Sequence, residues 1–401
     1  MSQPLSGADP LLPLGRDTAA TYRGRFGEEP RGVAVAPGRV NLIGDHTDYN
    51  EGFVLPMALD LGVACAFTPR DDGRLRIHSV AHGETREAAV ADLRPPGDST
   101  FFSYVAGVAW ALREGGRPVR GLDAVVAGNL PIGAGLSSSA AVELGAARAF
   151  AAAASVSWDA IAMAKVCQRA ENVYAGVSCG LMDQFTSATA REGTALLLDC
   201  RSLDARSVSL PRDTVVVIMD TGSRRGLAGS AYNERRASCE GAVRALRTLR
   251  PGLRALRDAD EELLRAGREL LDPTARARAA HVVGENARPL ALAQAFEQRD
   301  LVEAGRLMND SHASLRDLYE VSSPELDLIT GLARAHPACL GARLTGAGFG
   351  GCAVALVRAE GATDFVASVG AAYRSRRPDL RSSFFACRPS AGARLLAVSS
   401  V

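Results

Sequence analysis

Lysine is almost missing from this sequence. Lys165 is the only one, and every other basic side chain is arginine or histidine. A cationic grip on an anionic ligand must therefore come from arginine, backbone N–H groups or a metal ion. The lysine-containing phosphate loop GxxxxGK[ST] is absent. A surplus of charge is lacking too: 46 basic residues against 45 acidic ones leave a formal net charge of +1. No global field draws such a chain to nucleic acid or to an anionic membrane. The eight cysteines (65, 167, 179, 200, 239, 339, 352 and 387) form no CxxC pair and no Cys/His cluster with zinc spacing. A chain of 401 residues does not need disulfide staples, so reduced, mostly buried thiols in a cytoplasmic protein are expected. Long apolar runs are absent as well. "AARAFAAAASV" is interrupted by Arg148 and falls short of the ~20 apolar residues of a membrane span. The start, "MSQPLSGADPLLPLGRD", has no basic stretch followed by an apolar core, so no signal peptide is expected.

What is present is ordinary globular material, 47% hydrophobic and 23% charged. The length suits about two domains of roughly 100–200 residues each. No internal repeat or low-complexity linker is visible. A short strand is expected at 32–36, extended segments through "FVLPMALDLGVACAFTPR", and an alternating strand at "GRLRIHSV". "FSYVAGVAWALREGG" has helical periodicity and stops at Gly-Gly. "GLDAVVAGNLP" reads as a strand, the segment after it as a long alanine-rich helix, and "WDAIAMAKVCQRAENVYAG" as another helix. "TALLLD", "RSVSLP" and "TVVVIMDTG" are strand-like, residues 232–335 almost wholly helical, and a helix and a strand near "SSFFACRP" close the chain. Strands and helices in both halves predict two α+β lobes with a cleft between them, a preferred place for a small-molecule site.

Three motifs carry chemistry. "APGRVNLIGDHTDYNEGFVLPMAL" (36–59) crowds Arg39, Asn41, Asp45, His46, Asp48 and Tyr49 between apolar runs. Such a turn either caps a strand or reads a ligand covered in hydroxyls, since carboxylates accept hydrogen bonds while His and Tyr both donate and accept. "LPIGAGLSSSAA" places Gly133 and Gly135 before Ser137, Ser138 and Ser139 at the start of a helix. Glycine lets backbone approach a ligand, and a helix N-terminus is an anion site. The same pattern also serves a serine-capped helix after a glycine turn. "LTGAGFGG" (344–351) is a second glycine-rich loop, for a ligand or for close backbone packing.

In this order the three motifs resemble the GHMP kinase superfamily, and "GRVNLIGDHTDYNEGFVLPMAL" resembles the signature of its galactokinases. "CGLMDQF" (179–185), "SAYNERRASCE" (230–240), "HVVGEN" (281–286) and "SHASLRDLYEVSSPELD" (311–327) are similar to galactokinase segments, so the likeness runs nearly the whole chain. The resemblance implies an N-terminal S5-like lobe at 1–200, holding sugar signature and phosphate loop, and a C-terminal α+β lobe at 201–401. It implies transfer of the ATP γ-phosphoryl group to the C1 hydroxyl of galactose, the first step of galactose catabolism, with ATP and Mg²⁺, in a cytoplasmic monomer without nucleic-acid or membrane partner.

Residue roles follow from the same resemblance. Asp183 would act as general base or orient the reacting hydroxyl. Arg39 would stabilise the charged Asp183 or the transferred phosphoryl group. Ser139 and Glu171 would hold Mg²⁺, which prefers hard oxygen ligands and takes few from protein. Gly133, Gly135, Ser137, Ser138 and Ser139 would cradle ATP phosphates, and Phe101 would pack on adenine. Asp48 would read the O3/O4 side of the sugar, Tyr232 the O4 side, and Asp45 with His46 the O6 end, while Gly180 brings backbone close. The family's Gly-Glu-His is here Gly44-Asp45-His46, one methylene shorter, which implies a looser or water-mediated contact and wider tolerance at C6. Phe101 replaces a frequent Trp, which implies a weaker KM for ATP. Two alternatives stand beside this: a kinase for N-acetylgalactosamine or arabinose, and a non-catalytic sugar and ATP sensor.

Overall fold

The computed structural model describes residues 9–96, 100–131, 133–224 and 228–397. The first half runs α1 (Leu12–Phe26), β1 (Gly32–Asn41), β2 (Phe53–Val54), β3 (Pro56–Arg70), β4 (Arg74–Ser79), β5 (Glu84–Ala89), α2 (Phe101–Glu114), β6 (Gly121–Gly128), α3 (Ser138–Ala153), α4 (Ala160–Arg169), α5 (Met182–Thr189) and β7 (Thr194–Asp199). The second runs β8 (Ala205–Ser209), β9 (Thr214–Asp220), α6 (Ala228–Leu246), α7 (Glu261–Ala266), α8 (Pro273–Gln298), α9 (Leu301–Asp317), α10 (Pro324–Arg334), β10 (Cys339–Leu344), β11 (Cys352–Arg358), α11 (Ala362–Arg376), β12 (Ser383–Cys387) and β13 (Arg394–Leu395). The α+β class and most elements agree with the sequence reading. Helix α1 was not anticipated: Gly15 and Gly24 lie inside it and its apolar stripe is faint. The helix expected through Tyr174 ends as α4 at Arg169 and continues as a π-helical turn, Ala170–Tyr174. Such turns often re-aim a functional side chain, and this one carries Glu171.

A six-stranded sheet, in order β13-β1-β3-β6-β4-β5, is antiparallel except between β4 and β6. Period-two geometry sends alternate residues to opposite faces. Val33, Val35, Ala64 and Ala66 join α1 residues Ala19 and Tyr22 in one core, while Ala34, Ala36, Val63 and Cys65 join the alanine-rich α3 in another. A second sheet, β10-β11-β9-β12, is antiparallel throughout. Its strand β9 splits in the same way: Val217 and Met219 pack with Leu246, Leu326 and Phe365, whereas Val216 and Ile218 enter the larger core. A small sheet, β2-β7-β8, completes the set. All eight cysteines are outside disulfides, and among the described residues no helix is long and apolar enough to cross a membrane.

This arrangement brings four chain segments together. The polar turn follows the end of β1, the phosphate loop precedes α3, Asp183 stands in the first turn of α5, and the 345–351 loop joins β10 to β11.

Candidate active site

A cavity of about 380 Å³ opens beside these segments; the polar turn, α5 and the 345–351 loop line it, whereas Gly133, Gly135, Ser137, Ser138 and Ser139 lie outside its lining. Arg39, Asp45, His46 and Asp48 line it from the polar turn and the end of β1; Glu171 and Asp183 from the helical layer; Tyr232 from α6; Gly346 and Ala347 from the glycine loop.

At its centre Arg39 grips Asp183 with a two-pronged ion pair, Nε to Oδ1 and Nη2 to Oδ2, both 2.7 Å. The β1–β3 register shifts between Pro37 and Arg39, an irregularity of the kind that re-aims a side chain. The third nitrogen, Nη1, donates to the Gly135 carbonyl at 2.7 Å, so one guanidinium ties the carboxylate to the phosphate loop. The Ser137 hydroxyl also donates to Asp183 Oδ2. Ser137 therefore faces the carboxylate, in a left-handed conformation (φ 56°), and no side chain caps α3. Gly135 is left-handed too (φ 79°), a geometry glycine adopts freely. Gly133 lies under the aliphatic stem of Arg224, whose guanidinium pairs with Asp220 at 2.6 and 2.7 Å.

Behind Asp183 sit two further acids. Burial, and next the charge of Asp183, push Glu171 above the usual carboxylate range. Glu143, fully buried on α3, is pushed well up by burial and by Glu171. Gln184 bridges them: its amide donates to Glu171 Oε2 at 2.5 Å and to Glu143 Oε2 at 3.1 Å. Ser139 is hydrogen-bonded to Glu171. Glu143 Oε1 and Gln184 Oε1 have no partner among the described residues. Glu171, Glu143, the Ser139 hydroxyl and the Gln184 amide oxygen form a hard-oxygen environment beside the Arg39–Asp183 pair, and this donor set fits Mg²⁺. Among the described residues no group of three or more His, Cys, Asp or Glu is arranged to hold a metal by itself.

The side of the cavity formed by the polar turn is built differently. Asp48 faces the cavity, and its carboxyl is raised to about 6 by burial first and the charge of Asp183 next. Gly180 lies against it: a Cβ there would stand 1.8 Å from Asp48 Oδ2. His46 is left-handed (φ 65°), lowered to about 3 by burial, and therefore neutral. Tyr232 packs its ring 5.6 Å from His46 and 5.4 Å from Tyr49. Asp45 is 2% exposed, and its oxygens are taken by fully buried Arg343 and by Gly346 N–H at 3.1 Å. Arg343 also donates to the carbonyls of Asn41 and Leu42, and Thr345 to that of Asn41. Asp45 thus lines the cavity while fastening the polar turn to the glycine loop. Phe101 lies outside the cavity lining, at the start of α2, stacked on His82 at 5.1 Å.

Three family models match this chain. The galactokinase galactose-binding signature covers residues 20–69, the GHMP kinase N-terminal domain 103–191 and the GHMP kinase C-terminal domain 292–375. The galactokinase of Roseiflexus sp. (strain RS-1) is 43% identical over 92% of this chain and 94% of its own length. This chain belongs to the galactokinase family of GHMP kinases. The galactokinase of Chloroflexus aggregans is 44% identical over 89% of this chain and 92% of its own. Among solved structures, Lactococcus lactis galactokinase complexed with galactose matches with a TM-score of 0.89 at 33% identity, covering 94% of this chain and 98% of that one. Methanococcus jannaschii mevalonate kinase, at 18% identity and a TM-score of 0.61, over 90% of this chain and 99% of its own, shares the fold alone.

Within this family frame, sequence reasoning named Arg39, Asp183, Asp45, His46, Asp48, Gly180, Tyr232 and Glu171, and all eight line one cavity. It missed Glu143 and Gln184, although Gln184 stands inside "GLMDQF" and Glu143 is a lone acid on a buried alanine-rich face. It also missed the 176–179 stretch of the cavity wall and Arg343, which no local pattern marks.

Gly180→Ala is expected to turn Asp48 away from the cavity and raise the sugar KM at least tenfold, about the worth of one hydrogen bond to a charged group. Thermal unfolding should move little, because the clash falls on the far end of a side chain. Unchanged sugar KM in a folded variant would remove Asp48 from sugar recognition.

Proposed function

We propose that this chain is a galactokinase in the full sense. It transfers the γ-phosphoryl group of ATP to the C1 hydroxyl of galactose, giving galactose 1-phosphate. The observation that carries the reading is the Arg39–Asp183 pair, set between a phosphate-type helix N-terminus and a wall of sugar-type hydrogen-bonding groups. A sensor that only binds has no need of a paired carboxylate held at that junction.

Asp183 accepts three hydrogen bonds, two from Arg39 and one from Ser137. These three donors fix the orientation of the carboxylate. Phosphoryl transfer with a loose transition state asks mainly for positioning and charge neutralisation. Asp183 therefore orients the C1 hydroxyl and accepts its proton late. The uncapped N-terminus of α3, with the Gly133–Ser139 loop, offers N–H groups to phosphate oxygens. Arg39 links loop and carboxylate, so the two reactants share one anchor. Bound with Glu171 and Ser139, Mg²⁺ would neutralise charge on the phosphates. Asp48, His46, Tyr232 and the Gly180 backbone hold the sugar, and Asp45 shapes its O6 end through the turn it fastens. Phe101 is assigned to the adenine. The reading takes the enzyme as a cytoplasmic monomer, with lobes dividing near 200/201 apart from β8 and β13, which join sheets of the first half.

The test is ADP release with ATP and Mg²⁺ against galactose, 2-deoxygalactose, N-acetylgalactosamine, galacturonate, arabinose and glucose. Galactose turnover at the highest kcat/KM supports the reading. Preferential turnover of another sugar overturns the substrate and keeps the kinase. No turnover with retained ATP binding overturns the activity.

A further inference from the structure

His46 sits at the end of a buried chain of hydroxyls. Its Nδ1 is 2.8 Å from the Tyr49 hydroxyl, which is 2.7 Å from the Tyr319 hydroxyl, which is 3.2 Å from Cys239 Sγ. Tyr319 is fully buried and Cys239 is 1% exposed. The other ring nitrogen, Nε2, is buried with no hydrogen-bond partner among the described residues. Ala347 is the backbone partner of this imidazole, and both residues line the cavity.

Each phenol has one proton to give, so the links share one direction. If His46 donated from Nδ1, Tyr49 would donate to Tyr319 and Tyr319 would spend its proton on sulfur, a weak acceptor. In the opposite direction the thiol gives its weak proton to Tyr319, Tyr319 donates to Tyr49, and Tyr49 donates to imidazole nitrogen. Every strong donor then meets a strong acceptor. Asn50 supports this order: it is hydrogen-bonded to the Cys239 sulfur, occupying it as an acceptor, and donates to the His46 carbonyl at 2.9 Å. A second buried histidine beside the chain, His281, is fixed similarly, with Nδ1 2.8 Å from the Ser314 hydroxyl and Nε2 3.2 Å from the Asp45 carbonyl.

We propose that Tyr49 and Tyr319 are positioning residues that lock His46 as the Nε2–H tautomer, a fixed hydrogen-bond donor to one sugar hydroxyl. That hydroxyl can accept from Nε2–H and donate to the Ala347 carbonyl, so the pocket demands a group able to do both. An ether or a deoxy carbon at this point cannot satisfy both buried groups at once, which is the strong form of discrimination. The part concerning the sugar rests on the function proposed above; the tautomer does not.

The test combines NMR and kinetics on the full chain with ¹⁵N-labelled histidine, the His46 signals being assigned by comparison with His46→Gln. In the wild type Nδ1 should resonate as an unprotonated acceptor and Nε2 as a protonated nitrogen, and added galactose should shift Nε2. Tyr49→Phe removes only the oxygen. It should mix the tautomers and raise the galactose KM about tenfold, by more than kcat falls. Tyr319→Phe should do the same more weakly. A wild-type spectrum with the proton on Nδ1 overturns the proposal whether or not galactose is the substrate. So does a folded Tyr49→Phe protein in which neither the tautomer nor the galactose KM moves. Absent galactose turnover with the wild-type signature intact upholds the tautomer lock and counts against the proposed substrate alone.

Discussion

Asp183→Asn is expected to lower kcat by roughly a thousandfold, within the range for a positioned group that handles a proton. Two losses combine. Asparagine has no ionised acceptor for the C1 hydroxyl proton. Its amide also turns an N–H₂ group toward Arg39, whose two prongs now meet two carboxylate oxygens at 2.7 Å. Arg39 is released from the sugar side while still held by the Gly135 carbonyl. ATP binding should therefore change less than turnover. Single-turnover kinetics beside ATP titration would separate the two. A variant keeping a tenth or more of wild-type kcat would show that Asp183 is structural.

Asp48→Asn is expected to make the protein more stable and worse at binding sugar. The sign follows from the raised carboxyl. Asp48 titrates near 6 in the folded chain against 3.8 ordinarily. Between those values the folded state holds a proton that the unfolded state has lost, so stability falls as pH rises through the window. Above about 6 the deficit is constant, at most ~3 kcal/mol from a shift of about two units. Asparagine never carries the charge. At pH 7.5 the variant should unfold about 3 °C higher, and the gain should shrink toward pH 4. The galactose KM should rise between tenfold and roughly 100-fold, because a charged acceptor is lost. Wild-type KM should itself climb below pH 6, while the variant's stays flat. A variant less stable than wild type at pH 7.5 would mean that Asp48 is stabilised by partners rather than strained by burial and by Asp183.

The polar turn was legible because Arg39, Asp45, His46 and Asp48 lie within ten residues, and local spacing is what a sequence displays. Gly180 and Asp183 were legible for the same reason. The rest depends on pairs brought together by topology. Arg343 reads as one of many arginines until β10 sets it under the end of β1. Tyr319 reads as a helix-end aromatic until it meets Tyr49. Glu143 lies on a helix face that, by composition, should be wholly apolar, and only the neighbouring Glu171 and Gln184 give it meaning. The proposed role of Asp45 at O6 was read from its place in the motif. The structure adds that its carboxylate is already engaged by Arg343 and Gly346, which no spacing predicts.

The path of β13 bears on how the molecule is made. Ala34 and Val35 at the open side of β1 pair with Leu395 and Arg394, and the Leu396 N–H reaches the Val33 carbonyl at 2.9 Å. Asp9 is bound by Arg394. A ribosome delivers β1 early and β13 only after both glycine loops and all the helices. During that interval the first sheet carries an uncovered edge strand, a template for pairing with other chains. The first sheet therefore gains its last strand only when nearly the whole chain has been made. A nascent chain stalled before β13 would present that edge to its neighbours on the same message.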